Sequence, residues 1–187
     1  MLARIEAASL GGALPKPLAA DGKPSLIGLD MSALAAIVAA LEPATERQVA
    51  MRARQLFHWI YHQGAAAFAQ MTTLPKGLRD KLEADFSVAR PSVSTAQQAS
   101  DGTRKWLLRF ADGQEVESVF IPEEDRGALC VSTQVGCTLS CSFCHTGTMP
   151  LVRNLGAAEI TAQLLVARDA LGEWPTAKEG RLFSNIV

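Results

Sequence analysis

The run from Gly136 to Cys144 constrains this chain more than any other part of the sequence. It places three cysteines in a C-x3-C-x2-C pattern, with Phe143 directly before the last one. Three thiolates at this spacing can hold three irons of a four-iron cluster. A cluster normally takes four cysteine ligands, so the fourth iron stays open for a substrate or a cofactor. Cys137, Cys141 and Cys144 therefore predict a catalytic iron–sulfur site.

A zinc site is the alternative interpretation of the same cysteines, with Cys130 or His145 completing four ligands. Structural zinc sites usually pair a C-x2-C with a second, distant pair, and this sequence has no second pair. Four cysteines in a chain that begins without a secretory signal favour metal binding or redox chemistry over a disulfide framework. The spacing favours iron–sulfur and leaves zinc open.

Length and charge set broader limits. With 187 residues, of which 48% are hydrophobic, the chain can hold one or two domains. No apolar run reaches the roughly 18 residues that a membrane-spanning helix needs, so we expect a cytoplasmic protein. Residues 47–110 carry 10 basic and 4 acidic side chains. Such a segment is either a phosphate-binding surface or a solvated helical face.

Apolar periodicity predicts three helices in the first half, at about 32–41, 46–62 and 73–86. The Asp112-Gly113 turn between two strand-like runs predicts a β-hairpin. A strand near 129–134, a helix over 157–171 with one apolar face, and a strand starting near 182 follow the hairpin. This order predicts the start of a βαβ unit.

These residues resemble a known family. The cysteine run is similar to the signature of the radical S-adenosylmethionine (SAM) superfamily. The flanking sequence resembles the RlmN-type adenine-C2 methyltransferases over segments 54–61, 116–122, 129–137 and 152–155. The resemblance implies an α+β or α/β chain: an N-terminal helical domain, a β-hairpin, and the first βα unit of a truncated (β/α)6 partial barrel. The expected divisions are a flexible extension (1–29), a helical RNA-binding accessory domain (30–92), a β-hairpin segment (93–122) and the incomplete barrel (123–187).

The resemblance also implies roles for individual residues. Cys137, Cys141 and Cys144 would hold a [4Fe-4S] cluster whose open iron binds SAM. Glu117 matches the proton acceptor, and Cys130 matches the thiol of a transient disulfide whose partner cysteine is absent from this chain. The ordinary interpretations are a solvent-facing glutamate and a small buried apolar cysteine.

The implied partners are 23S rRNA and tRNA as substrates and an electron donor such as flavodoxin, with the protein acting as a monomer. A Gly-Glu-Pro segment that helps to bind SAM and a distal methyl-carrying cysteine are missing, so we expect an inactive N-terminal fragment. The alternatives are a non-catalytic RNA-binding module with a structural zinc site and the sister enzyme that methylates adenine C8. The RNA-facing residues would come from six basic side chains: Arg47, Arg52, Arg54, Lys76, Arg79 and Lys81.

Overall fold

The computed structural model describes residues 19, 21–124, 127–139, 141–142, 145–177 and 180–187. Most of the expected amino-terminal extension lies outside these residues. Phe143 and Cys144 of the cysteine run also lie outside them. In the described part, a group of helices is followed by a mixed sheet, in the order that the sequence predicts.

Three helices form the first half: α1 (Met31–Leu41), α2 (Glu46–Tyr61) and α3 (Lys76–Asp85). The carboxylate of Asp30 accepts a hydrogen bond of 2.8 Å from the N–H of Ala33 and so caps α1. The apolar positions that predict these helices are buried between them, which confirms the periodicity. They include Leu34, Ile37, Val38, Leu41, Leu56, Ile60, Leu78 and Leu82.

The segment before α1 belongs to this core. Leu26 and Ile27 are 0% and 1% exposed, and the N–H of Leu26 donates to the carbonyl of Ser87 over 2.9 Å. The Gly and Pro content of this segment suggested a flexible extension reaching residue 29. The expectation is wrong for residues 26–27, because two adjacent apolar side chains fill the space between α1 and the chain after α3.

The second half is built mainly from strands. They are β1 (Ser92–Gln98), β2 (Arg104–Arg109), β3 (Glu115–Ile121), β4 (Gly127–Cys130), β5 (Gln134–Val135), β6 (Arg153–Asn154) and β7 (Phe183–Ile186). The main sheet has the order β1-β2-β3-β4-β7, and β5 pairs separately with β6. The β2–β3 hairpin turns at Asp112-Gly113, as predicted. The first four strands of the main sheet are antiparallel, whereas β4 and β7 are parallel and are connected through helix α4 (Ala157–Leu171).

Helix α4 packs on two sides, and this differs from the single apolar face that the sequence predicts. Ala162 and Leu165 belong to the hydrophobic cluster of the helices. Val166 and Ala167 belong to the cluster under the sheet. The helix therefore lies between the two hydrophobic clusters and connects them.

A second contact between the helices and the βα unit comes from Trp174. A side chain at Gly64, after α2, would meet the Trp174 ring at 2.3 Å. Arg90 donates to the carbonyl of Gly64 over 2.9 Å and forms an ion pair of 3.0 Å with Asp169 of α4. The guanidinium of Arg168 lies 5.4 Å from the centre of the Trp174 ring. Close packing and charge together hold the end of α2 against the end of α4.

Candidate active site

The cysteine loop, residues 136–151, connects two strands that pair with each other. It leaves from β5 (Gln134–Val135) and returns through β6 (Arg153–Asn154), and these strands pair antiparallel. Inside this pair, the N–H of Cys137 donates to the carbonyl of Met149 over 3.2 Å. The loop therefore stands on a two-stranded base that fixes where its first cysteine begins.

Glycine is required at the start of this loop. Gly136 has φ +76°, which side-chain-bearing residues rarely adopt, and a Cβ there would lie 2.0 Å from the carbonyl oxygen of Pro150. At Gly147, a Cβ would lie 2.9 Å from the backbone nitrogen and oxygen of Cys141. The two glycines let opposite sides of the loop approach each other at backbone distance.

The described thiols of the loop are free and half-buried. Cys137 and Cys141 form no disulfide. The N–H of Leu139 donates to the sulfur of Cys137 over 3.4 Å. Backbone N–H groups that point at sulfur stabilise thiolates and tune cluster potentials, so this contact fits a cluster ligand. The third predicted ligand, Cys144, lies outside the described residues.

The two alternative zinc ligands lie on different parts of the fold. Cys130 is exposed at the end of β4, and His145 is exposed inside the loop. Within the described ranges, no three His, Cys, Asp or Glu side chains are placed to hold a metal ion. Cys144, which the zinc set and the iron–sulfur set both require, lies outside these ranges, so both sets stay predictions.

Glu117 and Cys130 lie on the same face of the main sheet. Cys130 of β4 pairs with Val119 of β3, and Glu117 is two residues before Val119 on the same side of that strand. Such diagonal neighbours are about 7–8 Å apart. The intervening Ser118 is buried on the opposite face, under α4. The structure brings these two predicted residues together, and Cys130 is not the buried apolar filler that an isolated strand cysteine suggests.

An open recess of about 250 Å³ lies beside Glu117, lined by Thr95, Gln97, Lys105, Leu107 and Glu117. Within it, Nζ of Lys105 lies 2.9 Å from Oε1 of Glu117. The sequence did not single out Lys105, because its partner is on the neighbouring strand. The ion pair fixes one carboxylate oxygen of the proposed proton acceptor.

Arg153 joins the base of the cysteine loop to two other elements. Its guanidinium contacts Glu159 of α4 at 2.6 and 2.8 Å and Asp112 of the hairpin turn at 2.7 Å. The hydrogen bonds from Arg153 to Glu159 raise the pKa of Arg153 above its ordinary value. Burial alone would raise the pKa of Asp112, but hydrogen bonds from Arg153 and from the N–H of Gln114 outweigh it and lower this pKa. Arg153 therefore ties the loop exit to the hairpin and to the start of α4.

Known proteins match both halves of the chain. Residues 25–88 match the model of the ribosomal RNA large subunit methyltransferase N-terminal domain. A dual-specificity RNA methyltransferase RlmN from Rhizorhabdus wittichii is 59% identical over 169 residues, which are 89% of this chain. Over the matched residues the chain is similar to RlmN-type proteins. A second RlmN, from Gluconobacter oxydans, is 52% identical over 98% of this chain.

A solved structure is similar over most of the same residues. The radical SAM methyltransferase from Sphaerobacter thermophilus superimposes with a TM-score of 0.73 and 40% identity over 87% of this chain. The chain spans 41% and 45% of the lengths of the two RlmN relatives and 45% of the solved one. No helix in the described ranges is long and apolar enough to cross a membrane.

Helices α2 and α3 present fewer available basic groups than the sequence suggests. Three of the six basic side chains are engaged within the fold: Arg52 with Glu42 at 3.0 Å, Arg79 with the carbonyl of Ala69 at 2.8 Å, and Lys81 with the carbonyl of Leu41 at 2.7 Å. Arg47, Arg54 and Lys76 are exposed. Arg54 contacts only the carbonyl of Ala50 in its own helix among the described hydrogen bonds and ion pairs. These three side chains are the stronger candidates for phosphate contacts.

Proposed function

We propose that this chain contributes the cluster loop and the first half of the active site of a radical SAM RNA methyltransferase. The product would be C2-methyladenine in 23S rRNA and in tRNA. The observation that carries this proposal is the cysteine loop held between β5 and β6, which follows β4, the strand that carries Cys130 and pairs with the strand of Glu117. The names of the RlmN relatives support the substrate class.

Cys137, Cys141 and Cys144 would hold the [4Fe-4S] cluster, and SAM would bind its open iron. When bound, the cluster would supply the electron for reductive cleavage of SAM. The loop base keeps Cys137 in place through its N–H bond to Met149. We propose an electron donor such as flavodoxin as the reductant and a monomer as the state in which the protein acts.

Glu117 and Cys130 would act at the adenine. Glu117 accepts a proton from the ring, because its carboxylate is exposed beside an open recess. Cys130 forms the transient disulfide that releases the protein–RNA adduct, and its exposed thiol is accessible for that exchange. The partner cysteine is not among the 187 residues, since no cysteine follows Cys144.

The helical unit, predicted over 30–92 and also including Leu26 and Ile27 in its core, would grip the RNA. Phosphate contacts give affinity without sequence specificity, and extrusion of the target base into the site gives specificity. Arg47, Arg54 and Lys76 would supply the phosphate contacts, because they are exposed and, among the described contacts, bind no other element of the fold, whereas the exposed Lys81 donates to the carbonyl of Leu41. The hairpin segment (93–122) and the barrel segment (123–187) would then form the catalytic side.

A chimera tests the proposed function. This chain replaces the matched 169 residues of the Rhizorhabdus wittichii relative. The anaerobically reconstituted chimera is given reductant, labelled SAM and either tRNA or an rRNA fragment. We expect 2-methyladenosine by nucleoside mass spectrometry, and none from the Cys141→Ala chimera. The C8-methylated product would instead indicate the sister enzyme.

Metal analysis of the chain itself is the second test. After reconstitution with iron and sulfide we expect about four irons per chain and a broad visible absorption, both abolished in Cys141→Ala. Stoichiometric zinc without iron uptake would overturn the proposal. Salt-sensitive RNA binding that survives replacement of Cys137 and Cys141, without methyl transfer by the chimera, would favour the non-catalytic RNA-binding module.

A further inference from the structure

We propose that Gln163 is a positioning residue that sets the distance between Glu117 and the cysteine loop; this rests on the proposed function. Gln163 is 0% exposed on α4. Its neighbours in the helix, Ala162, Leu165, Val166 and Ala167, are the apolar residues expected at a buried position. An uncharged amide among them needs an explanation, because burying a polar group is costly unless it is fully hydrogen-bonded.

The Gln163 amide uses its whole hydrogen-bonding capacity. Oε1 accepts from the hydroxyl of Ser118 and from the N–H of Ser132, both over 2.8 Å. Nε2 donates to the carbonyl of Ser132 over 2.8 Å and to the carbonyl of Glu159 over 3.3 Å. Two acceptor and two donor positions are all that a side-chain amide offers. The side chain therefore pairs with both the N–H and the carbonyl of Ser132, as the backbone of a neighbouring strand would.

The segment held in this way lies between the two parts of the proposed active site. Ser132 is two residues after Cys130 and two residues before β5, and it belongs to neither strand. Its hydroxyl donates to the carbonyl of Glu117 over 2.8 Å. Gln163 holds β3 through Ser118 and the connecting segment through Ser132. One side chain thus determines where the loop base begins relative to Glu117 and Cys130.

A purely structural role would make Gln163 replaceable by any change that restores stability. A positioning role predicts more, because a displacement of about 1 Å between reacting groups can lower a rate about a hundredfold. Gln163→Leu removes all four hydrogen bonds at similar volume. Gln163→Glu keeps the acceptors for Ser118 and for the Ser132 N–H but replaces the donor that faces the Ser132 carbonyl.

The experiment uses the chimera described above, with Val166→Ala as the matched control. Val166 is 5% exposed on the same helix and packs in the cluster under the sheet. We expect Gln163→Leu to lower kcat at least about tenfold, with KM for RNA and iron content unchanged within about twofold. Gln163→Glu should fall between this variant and the parent. Val166→Ala, compared at a similar decrease of Tm, should keep kcat near that of the parent.

Two outcomes separate this proposal from the proposed function. A kcat for Gln163→Leu no lower than that of Val166→Ala overturns the positioning role. If the unsubstituted chimera makes no methylated RNA, the proposed function fails. Amide hydrogen exchange at Ser132 in the chain itself then decides. Faster exchange in Gln163→Leu than in Val166→Ala supports positioning, and equal exchange overturns it.

Discussion

Oε1 of Glu117 lies 2.9 Å from Nζ of Lys105, on the sheet face that also carries Cys130. The Lys105 and Glu117 side chains are 43% and 51% exposed, so solvent screens the pair and its contribution to stability is about 0–1 kcal/mol. Its significance is geometric. The contact holds one oxygen of the carboxylate and leaves the other available at the recess.

Lys105→Met should therefore affect the reaction more than the fold. In the chimera, we expect kcat to fall about threefold to tenfold with KM for RNA unchanged, because the Glu117 carboxylate is no longer held in a fixed position. Lys105→Arg should recover most of this decrease. The measurement is steady-state methyl transfer together with denaturant unfolding.

The control for Lys105 is Arg109→Met, which removes the ion pair of 2.8 Å with Glu115 on the same two strands. It takes one cation from the sheet without touching Glu117. Equal decreases of kcat in the two variants would show that charge at this surface matters and that the ion pair with Glu117 does not.

Replacing Cys130 and replacing Cys137 should have different effects on cluster assembly. We expect Cys130→Ala to bind the parental amount of iron, because Cys130 is exposed on β4 and is not grouped with Cys137 and Cys141 in the described structure. Cys137→Ala should lose most of the iron and the visible absorption. The readout is iron and acid-labile sulfide per chain after reconstitution. Loss of iron in Cys130→Ala would place this thiol among the metal ligands, as the zinc alternative predicts.

Gly136→Ala should disrupt the cysteine loop. The substitution strains a backbone with φ +76° and also places a Cβ 2.0 Å from the carbonyl oxygen of Pro150. The left-handed conformation alone costs about 1–2 kcal/mol, and the clash adds to it. Gly113→Ala is the control, since Gly113 has φ +81° with no atom within 4 Å of the added Cβ. Denaturant unfolding should show the larger destabilisation in Gly136→Ala, which should also retain less iron; equal destabilisation would contradict the close approach.

Salt dependence should distinguish Arg54 and Lys76, which bind no other element among the described contacts, from Lys81, which does. We expect Arg54→Ala and Lys76→Ala each to reduce the slope of log K against log salt by about 1, because each variant would leave one phosphate without its cation. Lys81→Met should keep the slope and lower the stability of the chain, because Nζ of Lys81 donates to the carbonyl of Leu41. Filter binding of tRNA over a salt series gives the slopes. A reduced slope in Lys81→Met would contradict this division.

The lowered pKa of Asp112 predicts a dependence of stability on acid pH. A carboxyl group whose pKa is depressed in the folded state stabilises it above the ordinary value of 3.8, and this stabilisation disappears as the pH falls below about 4. Asp112→Asn keeps a residue suited to the turn and removes the titration. Its Tm should therefore fall less steeply between about pH 5 and pH 3. The effect is under about 1 kcal/mol, because the Asp112 side chain is 43% exposed. Arg153→Met should flatten the same profile; parallel profiles for parent and variants would contradict the ion pair.

Local signals explain the parts of the fold that could be predicted. The spacing of apolar residues decides α1, and Asp112-Gly113 decides the β2–β3 turn, because both depend on neighbours in the sequence. Strand β1 escaped prediction because all seven of its residues are exposed, so no alternation marks it. The second packing side of α4 was missed because it exists only once the helices and the sheet lie on both sides of it.

The same distinction between local and long-range signals applies to the site. The three-cysteine spacing is a local property and can be predicted from the sequence, as can the resemblances at Glu117 and Cys130. The pairing of β3 with β4, which places Glu117 and Cys130 on one face, depends on strand register and was not readable. Gln163 could have been flagged as a polar residue within a buried helical stretch, but its partners are 31 and 45 residues away. The hydrogen bonds of Arg79 and Lys81 to the carbonyls of Ala69 and Leu41 could not be predicted from the sequence either.

The Trp174 ring occupies the space that any side chain at residue 64 would need. Such a contact resists sliding, since neither partner can shift without opening a gap or a clash. The end of α2 is therefore held at a set distance from the end of α4. If the exposed arginines of α2 bind RNA as proposed, only an RNA whose own fold spans the distance from α2 to the cysteine loop would contact both, and the protein would select its substrate by tertiary shape.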